Sequence, residues 1–571
     1  MLRFDKEIDK KDRIIAYFSM EIGLDNHIPT YSGGLGVLAG DTIRSCADIG
    51  IPLVGVTLVS EKGYFYQKLD NHGNQIEMPV SWCKDNFLTL MPAKTTLQIE
   101  GRDVTIQVWK YTVKGVGGAT VPVYLIDTDV EGNSRYDRTI TSYLYGGDAR
   151  YRFAQEMVLG IAGVRILKEL GHTGIRKYHM NEGHAALLTF ELLEEDKASK
   201  NKLTYDPHMV RKSCVFTTHT PVPAGHDRFT PDIVHSMYGE TSHFGIDNDI
   251  YTDGMLNMTL LALRMSRYVN GVAKKHTEVS RGMFPGYSID SITNGVHSPT
   301  WVSKPFAKLY DRYMPGWRED PFNLRYAISI PNPEIWDAHM VAKRELIDEV
   351  NSLKNVGMDY NVLTIGCARR ATAYKRLDLL FSDVDRLVRI NNDVGLIQVI
   401  FAGKAHPYDI GGKETIRNIH KQINELDGKI KMAYLPNYDM DTARMITEGV
   451  DVWLNTPQRP KEASGTSGMK ACHNGVLNFS VFDGWWLEGY IEGATGWGIG
   501  PKPTDLKEEK EADSSADAND LYDKLEHEII PLFYNDRAKW MDMVCHSIAF
   551  NASFFNTHRM IEQYTTTAYC H

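Results

Sequence analysis

Seven cysteines are scattered through 571 residues, an odd number without one CxxC pair, so neither a disulfide framework nor a cysteine-bound zinc site is expected. No metal-ligating cluster stands out. No run nears the roughly 18 apolar residues a membrane span needs. The opening residues MLRFDKEIDKKDRIIAYFSM are charged almost from the start and lack the apolar core of a secretory signal. Cations are not in excess: 63 Lys and Arg face 73 Asp and Glu, which argues against nucleic acid or an anionic membrane as the main partner. Any basic patch must be local. The chain reads as cytoplasmic, with length for about two to four domains.

Two short segments concentrate chemistry. In EASGTSGMKACHNG, Glu462 to Gly475, a Gly/Ser/Thr loop precedes Lys470. Such a loop offers N–H groups and hydroxyls to a phosphate, and the lysine after it can act as a point charge or, if partly neutral, form an imine with an aldehyde. A plain turn followed by a surface lysine is the alternative. Upstream, CARRATAYKR carries Arg369, Arg370, Lys375 and Arg376 directly after the apolar run NVLTIG. Cations at a helix start oppose the helix dipole unless an anion is bound there, and ligands of open α/β sheets gather where strands run out into loops.

From Asn361 onward, apolar runs alternate with amphipathic segments: NVLTIG, GLIQVIFAG, KIKMAYLP, DVWLNTP and VLNFSVF, each followed by a helical or glycine-rich stretch. That rhythm predicts a parallel, doubly wound sheet. The first half repeats it less regularly through RIIAYF, IPLVGVTLV, VPVYLID, KYHMN, SCVFTTH and DSITNGV, with YSGGLG opening a helix. Prolines crowd between Asn294 and Asn361 and suggest a linker there. The acidic stretch Thr504 to Glu528 reads as a solvated loop or helix face.

With these segments placed, the chain resembles the α-glucan phosphorylases, the glycogen, starch and maltodextrin phosphorylase family. The resemblance rests on YSGGLG, NEGHAALL, TTHTP, NGVAKKH, ITNGVHSPTW, CARRATAYKR, FAGKAHP, YLPNY and EASGTSGMK, in family order from Tyr31 to Lys470. It implies an α/β fold of two Rossmann-like doubly wound domains facing across a cleft, the glycosyltransferase-B fold. The expected divisions are 1–293, 294–540 and a helical segment 541–571 packing back on the first domain. It also implies pyridoxal 5′-phosphate as a Schiff base on Lys470 and reversible, retaining phosphorolysis of terminal α-1,4-glucosyl residues to α-glucose 1-phosphate. The implied partners are glucan and inorganic phosphate, with a homodimer or larger assembly.

Residue by residue, the resemblance assigns Arg370, Lys375 and the backbone of Gly34 to the substrate phosphate. Arg369, Thr466 and Ser467 go to the cofactor phosphate, and Tyr438 and Tyr17 to packing near the cofactor ring. Asn294, Tyr374, Glu462, Ser464 and Gly465 become glucose contacts, with His219 donating to the sugar or accepting from its hydroxymethyl group. His184 and Asn181 read as capping and packing. Trp485, Trp486 and Glu488 either shape the sugar channel or fill core.

The chain departs from the long enzymes of this family, which have SGTGNMK for SGTSGMK and lysine-arginine at Arg369 and Arg370. It is also shorter, and the expectation is an unregulated short form. Two rivals stand beside the phosphorylase: a nucleotide-sugar-dependent glucan synthase on the same fold, which has no use for an imine-forming lysine, and a non-catalytic glucan-binding protein, in which the lysine or the phosphate cations should have been lost.

Overall fold

The first half builds one sheet from β1 (Ile15–Ser19), β2 (Leu53–Leu58), β3 (Thr89–Ile99), β4 (Arg102–Lys114), β5 (Thr120–Asp127), β6 (Lys177–Asn181), β7 (Cys214–Thr217), β8 (Tyr268–Gly271) and β9 (Asp290–Ser291). In the computed structural model, which describes residues 9–199, 204–222, 225–240, 246, 248–507 and 513–570, their order is β9-β8-β7-β6-β1-β2-β5-β4-β3. Neighbours from β9 to β5 run parallel, while β5, β4 and β3 form an antiparallel meander at the edge. The core strands β1 and β2 are buried along their whole length, as a parallel sheet covered on both faces requires. β3 instead alternates exposed and shielded positions, the mark of an antiparallel strand with one wet face.

The second half is more regular. Strands β10 (Leu363–Ala368), β11 (Ile397–Ala402), β12 (Lys431–Leu435), β13 (Val452–Asn455), β14 (Leu477–Val481) and β15 (Gly496–Ile499) pair in parallel in the order β12-β11-β10-β13-β14-β15. Counted from β10, that is the dinucleotide-fold order 3-2-1-4-5-6, whose switch point lies between its first and fourth strands. The carboxyl ends of β10 and β13 therefore open on one crevice. They lead into CARRATAYKR and into the loop before Lys470. The sixth strand, GWGI, hides behind its glycines: a Cβ at Gly498 would collide with the Phe482 ring, so the strand can form only without side chains at that face.

Two expectations change. The proline-rich stretch is no loose linker but a train of helical pieces, Ser298–Trp301, Lys304–Tyr313, Pro321–Ser329 and Asn332–Lys354, each with a proline in its first turn. Proline suits that position because the first-turn N–H has no helical partner to lose. Trp301, Tyr310 and Trp317 from this train are buried in the core of the second half. The acidic stretch, apart from 508–512 outside the described residues, contains the helix Ser514–Lys524, and Asp517, Ala518, Leu521 and Tyr522 on it are buried. Asp517 takes Arg376 and Arg459 at 2.7 Å each, so this carboxylate is a structural counter-charge rather than a solvated one.

The halves touch through polar contacts and through Val37, which packs with the core of the second half. A hairpin, Tyr66–Leu69 with Gln75–Met78, reaches the second half, where Gln67 Nε2 donates to Gly403 O at 2.8 Å and Gln75 Nε2 to Ala405 O at 2.9 Å. At the other end, Met560, Ile561, Tyr564 and Tyr569 pack with Tyr17, Ile22, Leu38 and Ile43 of the first half. Two parallel-rich α/β sheets of this kind constitute the glycosyltransferase-B architecture. Among the described residues no helix is long and apolar enough to cross a membrane, and no cluster of His, Cys, Asp and Glu could hold a metal.

Candidate active site

The loop after β13 turns sharply at Gly465, whose φ of 86° lies in the left-handed region that favours glycine. The helix Thr466–Cys472 starts there and carries Lys470 inward on its buried face. The Lys470 amine lies 3.8 Å from the centroid of the Trp301 ring. Burial pushes its pKa down to about 8, with Asp41 opposing the shift and Arg444 adding to it. A substantial neutral fraction near pH 7 to 8 is what a carbonyl-capturing lysine needs.

Arg369 follows β10 and is buried, yet its Nε and Nη1 make no hydrogen bond. Its nearest carboxylate oxygen is Glu462 Oε2 at 3.8 Å. Two buried guanidinium nitrogens without acceptors are costly, and an anion is the ligand that would satisfy them. Ser464 Oγ, Thr372 Oγ1 and Asn294 Oδ1 are likewise buried without hydrogen-bond partners. Buried polar atoms without partners are costly, and a polar ligand would satisfy them. A phosphate ester joined to an aldehyde fits this set: the buried lysine for the carbonyl, the Arg369 guanidinium for the phosphate.

The structure distributes the other predicted residues as follows. Lys375 Nζ donates to both oxygens of Glu462, at 2.7 and 2.6 Å, and the Glu462 carboxyl stays below its usual range, because Lys375 and Arg369 outweigh the burial. Glu462 N in turn donates to Asp483 Oδ2 at 2.8 Å. Arg370 is accessible at the mouth of the crevice. Desolvation there works against its charge, but Tyr374, Tyr64 and Glu21 more than compensate and raise its pKa. Tyr374 also lies under Lys375, 4.9 Å from ring centroid to Nζ. Thr466 and Ser467 are half-buried in the first turn of the lysine helix, and Ser467 Oγ accepts from Trp453 Nε1 at 3.2 Å. Tyr438 sits beside Arg369, whose charge partly offsets the effect of burial on its hydroxyl.

From the first half, Gly34 begins the helix Gly34–Ile49, and a Cβ built on it would meet nothing within 4 Å. The turn before it is held by Glu21, whose Oε2 accepts from Ser32 N at 2.6 Å and Gly33 N at 3.2 Å. His219 follows β7, and its N donates to Glu182 Oε2 at 2.8 Å while Nε2 meets Asn181 Oδ1 at 2.7 Å. Since an amide oxygen only accepts, Nε2 carries the proton and Nδ1 is left as an acceptor. Burial, with His276, His179 and His184, pushes the pKa down to about 3 and keeps the ring neutral.

Two readings need correction. Tyr17 is not placed beside Lys470: it is core, with its ring edge-on to His179 at 5.0 Å and packed against the C-terminal helix, because β1 presents it to that face of the sheet. Arg376, grouped with the phosphate cations, donates to Thr456 O, Pro457 O and Asp517, so its charge is spent on holding the loop after β13. Trp485 and Trp486 fill core, and Glu488 accepts from Lys274 N and Thr293 Oγ1.

Sequence reasoning missed Glu21, Glu182, Asp41 and Trp301. Glu182 is held at φ 72°, an unusual conformation for a residue with a side chain and a frequent mark of functional loops. Its motif, NEGHA, was visible; its strain was not. Trp301 closes the quoted motif ITNGVHSPTW, and only the fold turns its face to Lys470.

Comparison with known proteins bears directly on this crevice. The description "Carbohydrate phosphorylase" matches residues 225–492, which include most of it. A maltodextrin phosphorylase of Thermococcus litoralis is 41% identical over 99% of this chain and 72% of its own length. The chain belongs to the carbohydrate phosphorylase family. A glycogen phosphorylase of Aquifex aeolicus is 36% identical, covering 100% of this phosphorylase and 88% of the relative. An uncharacterized protein of Methanocaldococcus jannaschii is 32% identical over 97% of this chain and 99% of its own. The phosphorylase family generally uses pyridoxal 5′-phosphate, in keeping with the donor set of the crevice.

Proposed function

We propose that this α-glucan phosphorylase transfers the terminal α-1,4-linked glucosyl residue of a glycogen- or maltodextrin-like chain to inorganic phosphate, reversibly and with retention, and that Lys470 is its pyridoxal 5′-phosphate lysine. The observation that carries the reading is a buried lysine of lowered pKa on the segment after β13, together with two nitrogens of Arg369 left without acceptors at the end of β10, the two strands that flank the switch point. When bound, the cofactor supplies a phosphate with acid–base capacity close to the substrate phosphate. Arg369, with Thr466 and Ser467, neutralises that group, and Tyr438 packs beside it.

The chain's own residues then divide the work. Arg370 and the open backbone at Gly34 hold the substrate phosphate, which first protonates the glycosidic oxygen and then attacks the anomeric carbon. Lys375 serves the same phosphate and, paired with Glu462, joins the phosphate side of the site to the sugar side. Glu462, Ser464, Gly465, Tyr374 and Asn294 bind glucose hydroxyls, and His219 Nδ1 accepts from the hydroxymethyl group. The concentration of cations stabilises the oxocarbenium–phosphate ion pair as the bond breaks. Seven free cysteines, five of them buried, suit the cytoplasm. The divisions at 293/294 and 540/541 belong to the same proposal, as does assembly into a homo-oligomer.

Incubation with maltodextrin and inorganic phosphate should release glucose 1-phosphate, and Lys470→Ala should abolish both that activity and the absorbance of the bound aldehyde. A colourless protein lacking vitamin B6 and inert toward phosphate, yet active with a nucleotide sugar, would establish the synthase instead.

A further inference from the structure

One carboxylate of the first half reaches into the lysine's surroundings without belonging to the glycine loop or to any sugar or phosphate contact. Asp41 is buried two turns along the helix that Gly34 begins. Its Oδ2 accepts from Trp301 Nε1 at 2.7 Å and from His297 N at 3.2 Å. The face of the same indole lies 3.8 Å from the Lys470 amine. An indole whose N–H donates to a carboxylate is both fixed in orientation and enriched in electron density on its face, which favours a cation above it.

We propose that Asp41 is a positioning residue for Lys470, holding the Trp301 ring as the lysine's platform and acting as its counter-charge from the opposite half of the molecule. This rests on the reading of Lys470 as the cofactor lysine. The consequence is geometric: one helix carries the phosphate loop at its start and, through Asp41, fixes the lysine's platform, so the two halves share one reference. The charged groups facing this point are few. Arg444 lies 6.0 Å from the Trp301 ring and pairs with Asp441 at 3.3 Å, Arg44 pairs with Asp41 at 3.3 Å, and His473 and His297 flank the carboxylate. Burial lowers the lysine's pKa, and Asp41 is the group that resists the fall.

The test follows covalent attachment of pyridoxal 5′-phosphate to the cofactor-free, full-length chain by absorbance, from pH 6 to 10. The rate should rise with the neutral fraction of Lys470. In Asp41→Asn, which keeps an acceptor for the indole but loses the charge, the midpoint should fall by about one pH unit, making attachment at pH 7 several-fold faster. In Arg44→Gln the carboxylate loses its competing cation and the midpoint should rise. Opposite shifts cannot come from general loosening. An unchanged midpoint in Asp41→Asn, with normal attachment in the parent, overturns the inference alone, whereas a parent chain that never takes up the cofactor overturns the reading of Lys470 and this inference together.

Discussion

Two glycine loops meet at the crevice, and they use glycine for different reasons. At Gly465 the backbone is left-handed and a Cβ would press on Glu462 at 3.3 Å; glycine there makes the turn that aims Lys470 inward. At Gly34 the backbone is not left-handed and the space beyond is empty. Glycine there keeps N–H groups uncovered, and the shape of the loop comes from outside, through Glu21. The second-half loop takes its shape from its own backbone, and its Glu462 faces Lys375 and Arg369. The first-half loop contributes access.

The largest break in that comparison should come from the charge itself. Arg370→Ala removes a fixed cation from the mouth and should lower kcat/KM for phosphate about 100- to 1000-fold, while cofactor content, read by absorbance, stays near one per chain. Next comes pH. The Lys470 pKa falls from 10.5 in the unfolded chain to about 8 in the fold, so between these values the unfolded state binds more protons and stability rises with pH. Urea unfolding of the cofactor-free chain should show a gain of up to about 3 kcal/mol from pH 8 to 10.5 that Lys470→Met lacks.

Two substitutions of the same kind sharpen the contrast. Gly465→Ala should cost about 1–2 kcal/mol of stability from the left-handed backbone, seen as a lower denaturation midpoint, with activity falling alongside. Gly34→Ala meets no strain and should leave stability unchanged or raise it by about 0.5–1 kcal/mol. Its methyl would project over the open N–H groups, so steady-state kinetics should show a higher KM for phosphate with little change in kcat. A matching loss of stability at both positions would mean that the two loops are built alike.

How far the sequence reached depended on how local the cause was. The second sheet was legible because its strands are unbroken apolar runs separated by amphipathic helices, but GWGI was lost because its glycines answer to Phe482 and Asn478 on a neighbouring strand and loop. The meander of β3 and β4 was overlooked although its alternation was there to read. At the site, the two phosphate-seeking segments could be found from composition and from the resemblance. Which of their cations remained available could not: Arg369 and Arg376 look equivalent in CARRATAYKR, yet Asp517, 141 residues away, takes Arg376, while Arg369 meets Glu462 only at 3.8 Å and keeps two nitrogens without acceptors.

Periodicity and local backbone preference thus determined that this chain folds as two α/β halves, and the order of short motifs determined its family. Tertiary structure alone decided the lysine's environment: which carboxylate opposes its burial, which ring carries it, and that Tyr17 turns away into the core. The reason is that a hydrophobic period is written within a dozen residues, whereas desolvation and charge pairing depend on neighbours that the fold brings in from the other half of the chain.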